Sequence, residues 1–273
     1  MGFREPVTLG RSGLEVGRLG LSSSYGAPAE AFELGFEQGC NYFTWGTFVK
    51  GRSPHMAEAI RRIVANGQRD RLVLAMYSYA HQAFVTEKLF VRGLKAVGLE
   101  QADVLILGYF GHRPWRSVIN GARRMKEKGL VRFLGLSGHN RRLFPQLRRE
   151  GLFDLFHIRY SAVNSGAEVD AFPDLTEGDR PGIVTFTATN GGRLLSAKRM
   201  PPEERPATAA DCYRFALSHP AVDVCMTGTR SLSEMRDNLR ALDLGPLDEE
   251  EMARLRRIGD HIYGKPRAAA PGA

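Results

Sequence analysis

Tyrosine, histidine and arginine side chains stand at or just after the ends of several short apolar runs of the sequence. A histidine titrates near neutral pH, a tyrosine hydroxyl can donate a proton, and an arginine binds anions. Together these side chains suit proton-transfer catalysis on a small polar or anionic molecule. The sequence therefore predicts a catalytic set of six residues: Tyr77, Tyr79, His112, His139, Arg159 and Tyr160.

Carboxylates do not occur at the same positions. Asp103 and Asp154 begin their apolar runs rather than end them, and Glu168 and Asp170 lie further along a connecting segment. Mg²⁺ and Ca²⁺ sites need carboxylate oxygens, and glycoside hydrolysis needs a pair of acids. The three scattered cysteines are too few for a disulfide framework or a metal cluster. We therefore expect no metal at the site.

A further signal lies near the C-terminus, in MTGTRSLSEMRDNLRAL (226–242). An apolar run ends at Gly228, and Ser231 can cap the helix that follows, with Arg230 beside it. The exposed N–H groups of such a helix start attract anions. The turn GGR (191–193) offers another cation, so we expect a polar or anionic small-molecule ligand. An ordinary capped helix with a solvated arginine is the alternative.

Eight apolar runs alternate with amphipathic stretches along the chain. The runs are nearly continuous in hydrophobicity, as strands covered on both faces should be. Eight strand–helix units predict an α/β fold, the (β/α)8 TIM barrel, in which the polar residues at the strand ends meet at one mouth. A doubly wound open sheet is the alternative, but LSSSYGA (21–27) is not its usual glycine-rich phosphate turn. The predicted strands are 18–22, 40–45, 72–78, 103–109, 131–137, 155–160, 182–188 and 223–228.

Two further elements flank the eight units. VTLGRSGLEVGRLG (7–20) predicts an N-terminal β-hairpin with Ser12 and Gly13 in its turn. PLDEEEMARLRRIGDHI (246–262) predicts an extra C-terminal helix, because its proline and acidic residues suit a first helical turn. The helix after the sixth strand is short and poorly defined. We expect a single barrel domain over residues 1–264 and a loose tail over 265–273.

Composition places the 273-residue chain among globular proteins, with 43% hydrophobic and 25% charged residues. The net charge is +8, but the arginines spread over predicted helix faces without interleaved aromatic residues, so no nucleic-acid partner is expected. No apolar run reaches the length of a membrane-spanning helix, and the first residues do not resemble a secretory signal. These features predict a cytoplasmic protein without a membrane partner and leave its oligomeric state open.

Several motifs together resemble the aldo-keto reductase family over nearly the whole chain. They are LGRSGLEVGRLGLS, GCNYF, LKAVGLEQADVLIL, MKEKGLVRFLGLS and PAVDVCMTGTRSLSEMRDNLRALD. The opening hairpin, the order of the motifs and the terminal helix also correspond. The resemblance implies NADP(H) bound in an extended form across the mouth of the barrel, and reduction of carbonyls by hydride transfer.

The catalytic tetrad of that family does not carry over to this sequence. By the resemblance, the aspartate position falls on Thr44 and the tyrosine position on Val49, give or take one residue. The lysine position falls on Tyr77 and the histidine position on Gly108. We therefore predict that the four reductive groups are replaced. Without the lysine and the histidine, no group remains to lower the pKa of a tyrosine acid.

The two ends of the implied cofactor groove differ. At the nicotinamide end, the family's Ser-Asn becomes Ser137 followed by glycine, its glutamine becomes His157, and its stacking tyrosine aligns with Thr187 or, with a one-residue slip, Phe186. The adenosine end is better preserved. The predicted cofactor-binding residues are Ser137, Gly228, Thr229, Arg230 and Asn238.

Three hypotheses remain from the sequence. The first is an enzyme that uses non-reductive proton transfer, such as elimination, isomerisation or cyclisation. The second is an NADP(H)-dependent oxidoreductase with a relocated acid, either Tyr77 or Tyr109. The third is a non-catalytic sensor or partner subunit that binds a nucleotide or another protein.

Overall fold

A closed barrel of parallel strands forms the centre of the protein. The structure, a computed structural model, describes residues 2–46, 53–176 and 178–264, apart from the side chain of Ser24. The strands of this part of the chain are β1 Val7–Thr8, β2 Glu15–Val16, β3 Leu19–Ser22, β4 Tyr42–Gly46, β5 Val73–Ser78, β6 Ala102–Leu107, β7 Val131–Gly138, β8 Leu155–Arg159, β9 Gly182–Phe186 and β10 Val224–Gly228. The barrel runs from β3 to β10 in chain order and closes where β10 pairs with β3. The predicted (β/α)8 barrel is thus confirmed.

Helices surround the barrel and cover its outer face. They are α1 Ala29–Glu37, α2 Pro54–Ala65, α3 Ala83–Val97, α4 Arg116–Glu127, α5 Leu143–Arg149, α6 Ala167–Asp170, α7 Ala209–Leu217, α8 Leu232–Leu244 and α9 Glu249–Tyr263. Ser231 caps α8 by accepting a hydrogen bond from the Glu234 N–H, as the sequence predicts. Asp248 and Glu251 form a capping box that fixes the start of α9, the predicted C-terminal helix. None of the helices described is both long and apolar enough to cross a membrane.

The barrel strands are buried on both faces over most of their length, so their residues alternate between two cores. In β6, Val104 and Ile106 point into the barrel, whereas Leu105 and Leu107 pack against the surrounding helices. This alternation is the period of two that every strand imposes. It also decides which residues at a strand end can reach the barrel mouth.

The predicted hairpin closes the bottom of the barrel, where the strands begin. β1 and β2 pair antiparallel with Val7 opposite Val16, and the Ser12 hydroxyl donates to the Leu9 carbonyl in the turn. Leu9, Leu14 and Val16 are buried in the inner core. The hairpin therefore seals one end and leaves the other end open. The predicted tail, 265–273, lies outside the described residues.

Candidate active site

A cavity of about 990 Å³ opens at the carboxyl ends of the barrel strands and extends over the starts of α7 and α8. Most of the residues predicted for the site line it. Near the barrel axis these are Thr44, Tyr77, Tyr79, Ser137, His139 and Arg159, and at the α8 end they are Gly228, Arg230 and Asn238. Tyr109 and Phe186, which the sequence analysis considered as a relocated acid and a stacking ring, also line the cavity.

Strand alternation explains why these side chains reach the cavity. Tyr77 shares its face of β5 with Val73 and Ala75, which point into the barrel. Arg159 likewise shares its face of β8 with Leu155 and His157. The mouth side chains are thus extensions of the inner core.

Two predicted catalytic residues lie outside the cavity, and we correct both. Tyr160 follows Arg159 and so takes the opposite face, where it is 1% exposed and its hydroxyl donates to Glu168. His112 lies on the surface, with its ring against Trp115 and its Nδ1 2.8 Å from the carbonyl oxygen of Arg113. Neither side chain can therefore touch a ligand in the cavity.

A buried histidine at the floor of the cavity joins two tyrosines. His157 Nε2 lies 2.8 Å from the Tyr42 hydroxyl, and its Nδ1 lies 2.5 Å from the Tyr77 hydroxyl. His157 and Tyr42 are fully buried, whereas Tyr77 is half-buried and lines the cavity. Ser137 makes a further hydrogen bond to Tyr77. The three residues form a chain from the barrel interior to the cavity.

The hydrogen bonds of this chain determine how its protons are arranged. Burial lowers the pKa of His157 to about 3, so the ring is neutral and carries one N–H. Within the described residues, the Tyr42 hydroxyl has only His157 as an acceptor, so it donates to Nε2. The ring proton therefore sits on Nδ1 and is donated to the Tyr77 oxygen. Because His157 donates to the Tyr77 oxygen, the hydroxyl hydrogen of Tyr77 must point away from His157.

Tyr77 is consequently a proton donor whose oxygen already accepts a hydrogen bond. Burial and the neighbouring Tyr79 raise the pKa of Tyr77 well above 10, while the Ser137 hydrogen bond partly opposes that rise. The phenol is therefore protonated at neutral pH. If it gives up the proton, the phenolate is stabilised by the His157 Nδ1–H.

His139 is a second candidate for proton transfer in the inner cavity, and its pKa is lowered whereas that of Tyr77 is raised. Burial, and then the positive charge of Arg159, lower the pKa of His139 below its ordinary value of 6.5. The imidazole is therefore neutral at pH 7 and can accept a proton. Two groups whose pKa values are pushed apart in one cavity can act as an acid and a base.

An aromatic wall, which we define as Tyr77, Tyr79, Tyr109, His139 and Phe186, forms one side of the cavity. The rings of Tyr77 and Tyr79 are stacked with centroids 5.6 Å apart, and those of Tyr79 and Tyr109 with centroids 5.1 Å apart. The His139 ring lies edge-on to Tyr109 and beside Phe186.

Gly108 makes room for this wall. A Cβ at that position would lie 2.4 Å from the Tyr79 ring, so a histidine there, as the resemblance implies for the family, would displace Tyr79. Among the described residues that line the cavity there is no lysine. Val49 lies outside the described residues, so the replacement of the whole tetrad stays a prediction.

The α8 end of the cavity contains acids that the sequence analysis missed. Asp211, Glu234 and Asp237 line it, because the starts of α7 and α8 contribute to the wall. Glu234 accepts a hydrogen bond of 2.8 Å from the Arg230 N–H and pairs with its guanidinium. The expected anion site is thus filled by a carboxylate of the same helix. The capping glutamate three residues after Ser231 was the signal that could have revealed it.

Two more residues of the predicted cofactor set have unexpected surroundings. Thr229 does not line the cavity, because it is 2% exposed and donates to the Ser231 carbonyl. The ring of Tyr25 lies against Gly228, with an atom 2.2 Å from where a Cβ would stand. Asn238, 3% exposed, reaches the Gly228 carbonyl at 3.5 Å.

No metal site is formed by the described residues, in which no group of three His, Cys, Asp or Glu side chains comes together. Cys40, Cys212 and Cys225 are buried, and none of them forms a disulfide.

Comparisons with known proteins agree with this architecture. Residues 205–260 match the sequence model of the aldo/keto reductase family. No curated protein sequence matches the chain.

Solved structures resemble the protein over most of its length. The aldo-keto reductase AKR11C1 from Bacillus halodurans, in its holo form, superposes with a TM-score of 0.76 at 17% identity, covering 93% of this chain and 96% of the other. A Pseudomonas aeruginosa protein that carries the same family's name gives a TM-score of 0.68 at 21% identity, covering 88% of this chain and 96% of the other. The resemblance predicted from the sequence is therefore confirmed: the chain has the aldo-keto reductase fold, and residues 205–260 carry that family's sequence pattern.

Proposed function

We propose that this protein is an enzyme that catalyses non-reductive proton transfer on a small polar or anionic molecule, with Tyr77 as the acid and His139 as the base. One observation carries the proposal. The Tyr77 hydroxyl lines the cavity and is held at 2.5 Å by a neutral histidine whose other nitrogen is bound by Tyr42. This arrangement orients one donated proton and prepares the oxygen to hold the resulting charge.

Elimination of water illustrates how the two groups would work. His139 takes a proton from a carbon of the substrate, the electron pair forms a double bond, and the neighbouring C–O bond breaks. Tyr77 gives its proton to the departing hydroxyl, which leaves as water. The phenolate then accepts a hydrogen bond from His157 until a proton returns from His139 through solvent. Isomerisation uses the same two groups without a leaving group.

A test can be made before the natural substrate is known. A panel of small hydroxy, keto and unsaturated carboxylic acids is incubated with the protein in D2O, and proton NMR records deuterium incorporation or loss of water. We expect turnover of at least one compound. Tyr77→Phe should reduce its rate by about 10²–10⁴-fold, the usual contribution of an acid catalyst.

Tyr79→Phe is the matched control, because it removes a hydroxyl from the same aromatic wall but not the one bound to His157. It should change the rate by less than about tenfold. Wild-type turnover by Tyr77→Phe, or an absence of any turnover across the panel, would contradict the proposal.

An NADP(H)-dependent oxidoreductase is the second candidate, and the continuous cavity from Tyr77 to Asn238 favours it. Two features of the α8 end oppose phosphate binding there, although the exposed Arg240 also lines it. Glu234 neutralises Arg230, and the Tyr25 ring fills the space beside Gly228. We therefore derive no step through the nucleotide. Titration of NADPH fluorescence with the purified protein tests this candidate, and no binding at high micromolar nucleotide would eliminate it.

A further inference from the structure

The arginines at and near the barrel mouth have different partners. Arg113 pairs with Glu150 at 2.8 Å, Arg230 pairs with Glu234 at 3.1 Å, and Arg193 donates to the Ile262 carbonyl. Arg159 lines the cavity and is half-buried, yet it forms no ion pair or hydrogen bond with any other residue that the structure describes.

The nitrogen atoms of Arg159 are not among the buried side-chain nitrogens that lack a partner in the described residues, so water or a ligand can reach them. The positive charge of Arg159 also acts on its surroundings, since it helps to lower the pKa of His139. The inner cavity therefore has a cationic centre that the described part of the chain leaves without an acid. A guanidinium binds a carboxylate well, because its planar fork offers two parallel hydrogen bonds.

The aromatic wall supplies the second part of the argument. Tyr77, Tyr79 and Tyr109 stand in a row, with interplanar angles of 22° and 25° between successive rings. Tyr79 therefore lies between the other two rings, and Tyr109, the exposed ring at the end of the stack, offers a flat face to another planar group.

The backbone of Tyr109 shows that this wall is held at a cost. Tyr109 has a φ of 54°, in the left-handed region that a bulky residue rarely adopts, and the residue is 57% exposed. Strain of this kind tends to persist where it positions a side chain for binding. An exposed ring also gains contacts when a ligand covers it.

We propose that the substrate is a planar aromatic or conjugated carboxylate whose carboxylate binds Arg159 and whose flat part stacks on Tyr109. Its reacting atoms then lie between Tyr77 and His139. Only that last statement depends on the proposed function. Binding of the carboxylate and the ring can be tested without any turnover.

The first experiment uses cinnamate, its amide and cyclohexanepropionate as probes in calorimetric titrations of the full chain. The amide lacks the charge, and the cyclohexane compound lacks the planar ring. Cinnamate should bind at least about tenfold more tightly than either, since a charge-assisted hydrogen bond pair and a stacked ring are each worth about that factor. Equal binding of cinnamate and its amide would overturn the proposal.

The second experiment compares two arginines of the same cavity. Arg159→Met should weaken cinnamate binding by about tenfold or more and leave the amide unaffected. Arg240→Met, which removes an exposed arginine from the α8 end of the cavity, is the control and should change neither. A thermal melt of each variant checks that it is folded. Unchanged cinnamate affinity in Arg159→Met would overturn the assignment.

NMR titration of His139 gives an independent readout. Bound cinnamate should raise the pKa of His139, because its carboxylate offsets the charge of Arg159, and the amide should not. If the probes behave as expected but Tyr77→Phe keeps wild-type turnover, the proposed reaction is wrong and the ligand class stands. If turnover depends on Tyr77 but cinnamate affinity does not depend on Arg159, the proposed ligand class is wrong and the proposed reaction stands.

Discussion

Charged side chains meet different partners at the two ends of the barrel. At the bottom, Asp103, Asp154 and Asp223 each accept a hydrogen bond from a backbone N–H of the neighbouring strand. Asp223 also binds both terminal nitrogens of Arg180, at 2.8 and 2.6 Å. At the mouth, Arg159 has no acid among the described residues, and Tyr109 holds a strained backbone.

This difference between the two ends leads us to assign a stabilising role to the charges at the bottom of the barrel and to propose a functional role for those at the mouth. At the bottom, each of the three acids accepts a hydrogen bond from strand backbone, so these bonds fix how neighbouring strands align. At the mouth, Arg159 has no such partner among the described residues, which is why we propose that it binds a ligand. In (β/α)8 barrels generally, the bottom face contributes to stability and the mouth carries the active site. In this protein, single substitutions at the two ends can test that contrast.

The largest expected effect is at the bottom of the barrel. Asp223→Ala leaves Arg180 and the Ile183 N–H without their acceptor, so it should lower the free energy of unfolding by about 3–5 kcal/mol. Urea denaturation measures the loss. Glu234→Ala, which breaks an exposed arginine–acid pair at the mouth, should cost less than about 1 kcal/mol. Equal losses of unfolding free energy in Asp223→Ala and Glu234→Ala would contradict the proposed difference between the two ends of the barrel.

The buried chain at the cavity floor should make the protein sensitive to acid. Because His157 has a pKa of about 3 when folded and an ordinary value of 6.5 when unfolded, the unfolded state binds more protons below pH 6.5. Stability should therefore fall as the pH drops from about 6.5 towards 3, by up to about 1.4 kcal/mol per pH unit from this residue.

Denaturation at several pH values measures this slope, and His157→Gln serves as the comparison because it cannot titrate. The slope between pH 6 and pH 4 should be shallower in His157→Gln than in the wild type. Parallel curves would mean that His157 is not held neutral by burial.

The mouth should show its own pH dependence, in activity rather than stability. His139 acts as a base only when neutral, and its pKa is below 6.5. The rate should therefore fall as the pH drops through that lowered pKa, and no fall from Tyr77 should occur below pH 10. Arg159→Met should move the acidic limb to higher pH, since one cause of the lowered pKa is removed. If the acidic limb of the pH–rate profile does not move in Arg159→Met, a group other than His139 causes it.

The smallest effect concerns the strain at Tyr109. Tyr109→Gly relieves a left-handed backbone but removes ring contacts, so the free energy of unfolding should change by no more than about 1 kcal/mol. Cinnamate binding should nevertheless weaken, because one face of the wall is lost. A large loss of stability with unchanged binding would make Tyr109 a structural residue like those at the bottom.

Much of the fold could be predicted because its signals are local. The run predicted at 103–109 is the strand Ala102–Leu107, and the helix predicted at 246–262 is Glu249–Tyr263. Apolar runs, caps and turn residues act over a few positions, so the sequence displays them directly. The same information predicted that Tyr77, Tyr79, His139 and Arg159 share one mouth, because all parallel strands end on the same side.

The candidate site was less predictable because it depends on contacts between distant segments. Tyr42 and His157 are 115 positions apart, and nothing near either residue indicates that they touch. Tyr160 was placed at the mouth from its position at a strand end, but strand alternation turns it outward. Its neighbour Arg159, one position earlier, points in.

The sequence by itself thus determined the barrel, its hairpin, its last helix and the kinds of side chain at the mouth, since hydrophobic period and element ends are properties of neighbouring residues. Only the tertiary structure decided which charges are neutralised and which protons are oriented. Asp223 reaches Arg180 whereas no described acid reaches Arg159, and His157 forms hydrogen bonds with both Tyr42 and Tyr77. Those outcomes depend on distances of a few ångströms between separate strands and helices, and electrostatic interactions and hydrogen bonds change steeply over such distances.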